Sequence, residues 1–251
     1  MKKILFFALM AFTVQSFAVL NVVSEDTNEN NSISEMHDLT AYFTDANAFM
    51  NKYVNAGRVD YAAIQTDRTM LDKLVDVIAS AHVSDGSADT QIAFYINAYN
   101  ILTIKNVVDN MPIKSPLDVQ GFFDTKKFTV AGASLTLNEI ENKKLRPDPR
   151  VHFVLVCAAK GCPKIINEAY MPDKVQAQLN AQTKKALNDP EFIKVDATNK
   201  KVQVSQIFEW YKDDFMKSNA SIREFINRYR TEIPADYTVE FYTYNWDLNK
   251  K

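Results

Sequence analysis

The stretch from Asp89 to about Asn110 constrains the fold more than any other. Ile92, Phe94, Tyr95, Ile96, Ala98, Tyr99, Ile101, Leu102 and Ile104 leave it almost no polar face. A helix that is apolar all round must be surrounded by other protein. The chain therefore needs a layer of structure on every side of this helix, and its hydrophobic content of 47% is enough to supply one. Asn97 and Asn100 sit three residues apart on it and share a face. Buried amides have to be hydrogen-bonded. The two either brace neighbouring backbone or line a site.

Around this helix the periodicities alternate. Tyr42, Phe43, Ala46, Phe49, Met50 and Tyr53 predict a helix over Leu39 to Val54, stopped by Gly57. Leu71, Leu74, Val75 and Ile78 predict another over Asp67 to Ala81. Lys127 to Leu137 reads as a β-hairpin turning at Gly132. Thr136 and Glu139 then fit a capping box for a short helix to Leu145, so Glu139 reads first as a cap and only second as an acid in a site. Val151 to Cys157 is a continuous apolar run that predicts a central strand. An amphipathic helix starts near Pro172, a second hairpin spans Phe192 to Val204, and helices follow from Ser205 and near Ile222 to Tyr229. Thr238 to Tyr244 is a last alternating strand. Helices outnumber strands and hairpins dominate the β content. The predicted fold class is α+β: a single domain with a buried central helix, mixed or antiparallel sheet and β-hairpins.

The start of the chain predicts export. Met1-Lys2-Lys3, an apolar run from Ile4 to Val14 and the small residues Ser16 and Ala18 form a secretory signal pattern with cleavage after Ala18. The alternative is an uncleaved anchor, but the run is short for roughly 30 Å of hydrocarbon. Residues 1–18 are thus expected as signal peptide, 19–38 as a flexible acidic linker, and 39–251 as the domain. The expected location is periplasmic or extracellular, with no stable membrane span once the signal is removed. A net charge of −2 and the lack of a long basic run argue against nucleic acid as a partner. No cofactor is expected.

The chemistry concentrates in Asp148-Pro-Arg-Val-His-Phe-Val-Leu-Val-Cys-Ala-Ala-Lys-Gly-Cys-Pro163, which holds both cysteines and one of three histidines. Three readings compete. One is a thiol nucleophile, Cys162 or Cys157, with His152 as its base and a third residue among Asn97, Asn100, Glu139, Glu141 and Asp214 to orient the imidazole. Another is a Cys157–Cys162 disulfide, worth roughly 2 kcal/mol on the chain-entropy picture and natural in an oxidising compartment. The last is a metal site, which lacks a recognisable spacing and a fourth ligand. In a regular strand His152 and Cys157 face opposite ways, so geometry favours Cys162 as the partner thiol unless a bulge intervenes. His37 and His82 read as exposed histidines.

Several motifs in order resemble the DUF547 family, a domain of unknown function. They are Gly57-Arg-Val-Asp-Tyr61, Phe94-Tyr-Ile-Asn-Ala-Tyr-Asn100, Ser134-Leu-Thr-Leu-Asn-Glu-Ile-Glu141 with Leu145-Arg146, Asp148-Pro-Arg-Val-His-Phe with Cys157 and Gly-Cys-Pro163, Ser205-Gln-Ile-Phe-Glu-Trp-Tyr with Asp214-Phe215, and Tyr244-Asn-Trp-Asp-Leu-Asn249. The resemblance runs from about Asn51 onward. It implies that Cys157 is the more characteristic cysteine, the second being replaced in some members, against the parity argument. The Cys, His and Asn content is also analogous to papain-like or transglutaminase-like thiol enzymes, although here no cysteine precedes His152.

The expected function is an exported thiol-dependent hydrolase or acyl-transfer enzyme acting on a periplasmic peptide, amide or ester. His152 is its base, Cys162 or Cys157 its nucleophile, and Asn97 or Asn100 an orienting group or oxyanion donor. Asn100, Glu139, Arg150, Trp210 and Tyr211 are the candidate binding residues. The alternative is a non-catalytic module in which Trp210, Tyr211, Tyr99 and Trp246 line a groove for a small molecule, peptide or glycan and the disulfide is structural.

Overall fold

The computed structural model describes residues 25–251, with side chains described from residue 39 onward. The expected signal segment 1–18 lies outside the described residues. Helix α1 (Glu25–Tyr53) starts well before the apolar spacing does. The expected linker 19–38 therefore falls partly outside the described residues and partly on the first turns of this helix, whose polar composition carries no hydrophobic period to read.

A tight hairpin of β1 (Val54–Asn55) and β2 (Arg58–Val59) follows. Its turn puts Ala56 and Gly57 at φ of 48° and 78°, which explains the glycine. Next come α2 (Tyr61–Thr66), α3 (Thr69–Ser80) and α4 (Ala88–Asn110). Ser87 caps α4 by accepting from the Thr90 backbone N–H at 3.1 Å. From Ala93 to Ile104 every residue of α4 is buried, so the predicted central helix is present.

The hairpin β3 (Lys127–Val130) and β4 (Ala133–Thr136) pairs Val130 with Ala133 around Ala131 and Gly132. Thr136 then caps α5 (Leu137–Ile140): its hydroxyl accepts from Glu139 N–H at 3.1 Å, and the Glu139 carboxylate accepts from Thr136 N–H at 2.9 Å. The predicted capping box is realised in both directions. The chain continues as a wider π-helical turn, Glu141–Leu145. A π-turn often accompanies a functional position, and this one carries Glu141.

The predicted strand over Val151 to Cys157 does not form. Asp148 caps a 3-10 helix, Pro149–Phe153, by accepting from Arg150 N–H at 2.9 Å, and Pro149 occupies its first turn. An Asp-Pro start is a helix signal. Asn100 supplies what a strand neighbour would have supplied: its amide donates to Val154 C=O at 3.0 Å and accepts from Val156 N–H at 2.9 Å. The run is apolar because it is buried, not because it is extended. The parity argument between His152 and Cys157 therefore loses its premise.

Helix α6 (Val175–Asn188) leads to β5 (Ile193–Asp196) and β6 (Lys201–Ser205), an antiparallel pair. The helix expected after Ser205 is two short pieces, α7 (Ile207–Trp210) and α8 (Lys212–Met216), broken at Tyr211. After α9 (Ile222–Asn227), strand β7 (Thr238–Tyr242) joins β6 in parallel. Helices with small open antiparallel and mixed sheets make the fold α+β, as predicted. Among the described residues no helix is long and apolar enough to cross a membrane.

Among the described residues the buried apolar side chains form two clusters. One packs α1, α3, α4 and the first hairpins; the other gathers Phe153, Phe208, Phe215 and Phe225 with the last sheet. Val151, Val154 and Leu155 belong to the first cluster, and Phe153 and Cys162 to the second. The segment around His152 is thus the seam between two cores.

Candidate functional site

A cavity of about 450 Å³ opens at this seam. Its chemistry comes from four elements. The 3-10 helix delivers His152, the π-turn delivers Glu141, the break between α7 and α8 delivers Tyr211, and the loop after Val156 delivers Cys157 and Cys162. Tyr99 reaches it from α4, and Tyr244 and Trp246 from the C-terminal segment.

His152 is held on three sides. Its Nε2 lies 2.8 Å from Asp214 Oδ2, its Nδ1 lies 3.4 Å from Glu141 Oε1, and its ring stacks on Tyr211 at 3.9 Å between centroids. Asp214 also receives Arg146 in a two-pronged pair, Nε at 2.6 Å and Nη2 at 2.9 Å. Burial pushes the Asp214 carboxyl up, but the Arg146 guanidinium and the His152 hydrogen bond outweigh it and hold the group below the usual carboxylate range. An ionised Asp214 is an acceptor only, so Nε2 of His152 donates to it, and Nδ1 is the nitrogen left to exchange a proton beside Glu141.

Three tyrosines add to the polar lining, which also includes Gln120, Asp124 and Asn138. Burial, reinforced by the nearby Glu141 carboxylate, pushes the Tyr99 and Tyr211 hydroxyls well up, and burial does the same for Tyr244. All three stay protonated at neutral pH and can donate. Part of the lining is apolar: Trp210 and Trp246 stack at 5.8 Å, Tyr244 lies 4.8 Å and Phe123 6.3 Å from Trp246, and Leu117 lines the same cavity. Trp210 is 46% exposed and Leu117 57% exposed. A mouth of exposed apolar side chains over a polar floor is the usual plan of a small-ligand site.

The two cysteines are joined as a disulfide, with Cα atoms 6.4 Å apart, and form part of the same floor. The Tyr244 hydroxyl lies 2.7 Å from Cys157 Sγ and 3.1 Å from Cys162 Sγ. The Cys157 backbone N–H points at Cys162 Sγ at 3.0 Å. Cys157 is half-buried and Cys162 buried. The C-terminal segment pins the loop: Lys160 N–H donates to Asp247 C=O at 2.7 Å and Gly161 N–H to Asn245 C=O at 2.8 Å. A Cβ on Gly161 would come within 2.9 Å of Asn245 N, so only glycine allows this approach.

Of the residues singled out from sequence, His152, Cys157, Cys162, Trp210, Tyr211, Tyr99 and Trp246 meet in this one cavity. Others lie apart from its lining. The Asn97 amide is engaged with the Tyr170 backbone, donating at 2.8 Å and accepting at 2.9 Å. Asn100 braces Val154 and Val156, Glu139 caps α5 and pairs with Lys143 at 2.7 Å, and Arg150 pairs with Asp148 at 2.6 Å and reaches Gln176 and Asn180. His82 is exposed. Of the five possible orienting groups, Asp214 and Glu141 are the two that flank the imidazole. Sequence reasoning missed the contact of Tyr244 with the sulfurs. Its only trace was the aromatic density of Tyr244-Asn-Trp246.

No curated protein and no solved structure matches the chain. Residues 83–186 match the model of the family described as "Protein of unknown function, DUF547". That span holds α4, Glu141, His152 and both cysteines, whereas Trp210, Tyr211, Asp214, Tyr244 and Trp246 lie beyond it. Over residues 83–186, the family resemblance read from the motifs is therefore a DUF547 match.

Proposed function

We propose that the protein is an exported thiol-dependent hydrolase or acyl-transfer enzyme for a peptide, amide or ester, active when Cys157 and Cys162 are reduced. One observation carries the reading: both sulfurs and a carboxylate-flanked imidazole line a single cavity. Cys157 is the nucleophile because it is the less buried of the two. Its thiol gives a proton to Nδ1 of His152, and the imidazolium is held between Asp214 and Glu141. The thiolate attacks the carbonyl carbon, a tyrosine hydroxyl on the cavity wall receives the oxyanion, and the proton on Nδ1 leaves with the amine or alcohol. Water, or an acceptor amine or alcohol, then attacks the thioester and releases Cys157. The stacked tryptophans favour an acyl group with an apolar or aromatic face.

The test is turnover. Folded protein reduced with a phosphine is offered a panel of aromatic esters, thioesters and amides, and the adduct is sought by mass analysis. Burst release with an acyl group on Cys157 is the expected result. Reduced, folded protein that neither turns over nor acylates sinks the reading.

The alternative, a non-catalytic binding module with a structural disulfide, is favoured by one specific feature. Tyr244 meets the sulfurs, while the ring nitrogens of His152 face carboxylates. It predicts ligand binding that is indifferent to reduction.

A further inference from the structure

We infer that the Cys157–Cys162 disulfide is redox-active and exchanges with thiols that enter the cavity. The inference shares the cavity with the acyl chemistry proposed above but needs no acyl substrate.

Three observations carry it. The disulfide lies in the lining of an open cavity, at the edge of the second core. The two sulfurs are unequal: Cys157 is half-buried, whereas Cys162 is 8% exposed. The Cys157 backbone N–H donates to the inner sulfur at 3.0 Å, and the Tyr244 hydroxyl, 2.7 Å from Cys157 Sγ and 3.1 Å from Cys162 Sγ, can turn its single hydrogen to Cys162 once that sulfur takes the charge. Such donors stabilise a thiolate more than a neutral sulfur. A leaving thiolate that is stabilised in place leaves faster. The arrangement therefore makes Cys157 the sulfur that is attacked and Cys162 the sulfur that departs.

The step balances as follows. A substrate thiolate attacks Cys157 Sγ, a new S–S bond forms, and the Cys157–Cys162 bond breaks. Its electron pair stays on Cys162, which receives the two hydrogen bonds. If the substrate is a dithiol, its second thiolate attacks its own sulfur in the mixed disulfide and releases Cys157. The substrate is oxidised by two electrons, the protein is reduced by two, and the protons lost by the substrate thiols end on the two cysteines. A small-molecule disulfide restores the starting state by the reverse path. The aromatic mouth of Trp210 and Trp246 selects thiols that carry an apolar or aromatic group.

The full oxidised chain, in native buffer, is mixed with benzyl mercaptan or with dithiothreitol, quenched in acid and mapped. The mixed disulfide with benzyl mercaptan is expected on Cys157, and opening by dithiothreitol is expected within about tenfold of the rate for an unstructured peptide spanning residues 155–165. Protection by about a hundredfold or more in the folded state would mean a structural bridge that opens only on unfolding, and would overturn the inference. A mixed disulfide on Cys162 would overturn the assignment of roles. Tyr244→Phe is expected to slow opening by roughly three- to tenfold, with the urea midpoint little changed. An unchanged rate removes Tyr244 from the mechanism. Acyl turnover is not read in any arm, so failure here and failure of the hydrolase reading are separable.

Discussion

Two groups of buried polar side chains in this molecule do opposite things. On α4, Asn97 and Asn100 are fully buried and each closes a two-bond ring on distant backbone, at Tyr170 and at Val154 and Val156. Around His152, the buried groups are charged or titratable, are tied to one another, and border a cavity. The first set replaces secondary structure where the chain has none. The second set holds a buried imidazole beside a cavity. Burial of polar atoms alone therefore does not mark a site. The two sets differ in whether the polar atoms are used up by backbone or belong to side chains that line a cavity.

Substitutions can break this contrast. The largest effect is expected from Asn100→Ala, which leaves Val154 C=O and Val156 N–H buried without partners. A loss of about 3 kcal/mol in urea unfolding is expected, along with structural change in the His152 loop. A loss under about 0.5 kcal/mol would mean that this segment needs no brace.

Asp214→Asn comes next. It removes the charge that both Arg146 and His152 face, and about 2 kcal/mol of stability together with all acyl turnover is expected to go. The effect is pH-dependent with a definite sign. The folded-state pKa of Asp214 is depressed, so its contribution is complete above the unfolded carboxylate value near ~4 and fades as pH falls through the lower folded value. The stability gap between wild type and Asp214→Asn should therefore narrow below about pH 4. A gap that stays constant down to pH 2 would contradict the pairing.

Glu139→Ala should lower the urea midpoint only slightly, because it removes one half of the capping box and keeps the Thr136 cap, and should leave turnover intact. The Lys143 and Thr136 partners hold this carboxyl at about 2, as suits a cap. Loss of turnover without loss of stability would move Glu139 into the site. Trp210→Ala should change stability least, within about 0.5 kcal/mol, because the ring is 46% exposed. It should raise KM for aromatic substrates and leave that for small aliphatic ones alone. Equal effects on both would dissociate Trp210 from recognition.

Much of this was legible in the chain. The helix α4 announced itself by lacking a polar face, the hairpin at Gly132 by its turn, and the cap at Thr136 by its spacing to Glu139. His152, both cysteines, Tyr211 and Trp210 could be named as site candidates from residue type and clustering. The strand predicted at Val151 could not have been corrected locally, because the amide that replaces its ladder comes from Asn100, on a different element. The choice of Asp214 and Glu141 over Asn97 and Asn100 likewise depends on which side chains the fold brings against one imidazole. Tyr244 was invisible as a sulfur partner because its contacts at Cys157 and Cys162 exist only in three dimensions.

Cys157 and His152 line the same cavity, and the proposed chemistry requires them to act together. The most direct measurement is the iodoacetamide alkylation rate of Cys157 in reduced, folded protein, compared between wild type and His152→Asn at neutral pH. The wild-type thiol is expected to react faster than an unstructured peptide thiol, with a drop of about tenfold or more on substitution. A Cys157 that reacts no faster than the peptide, or at the same rate in both proteins, would contradict that joint action.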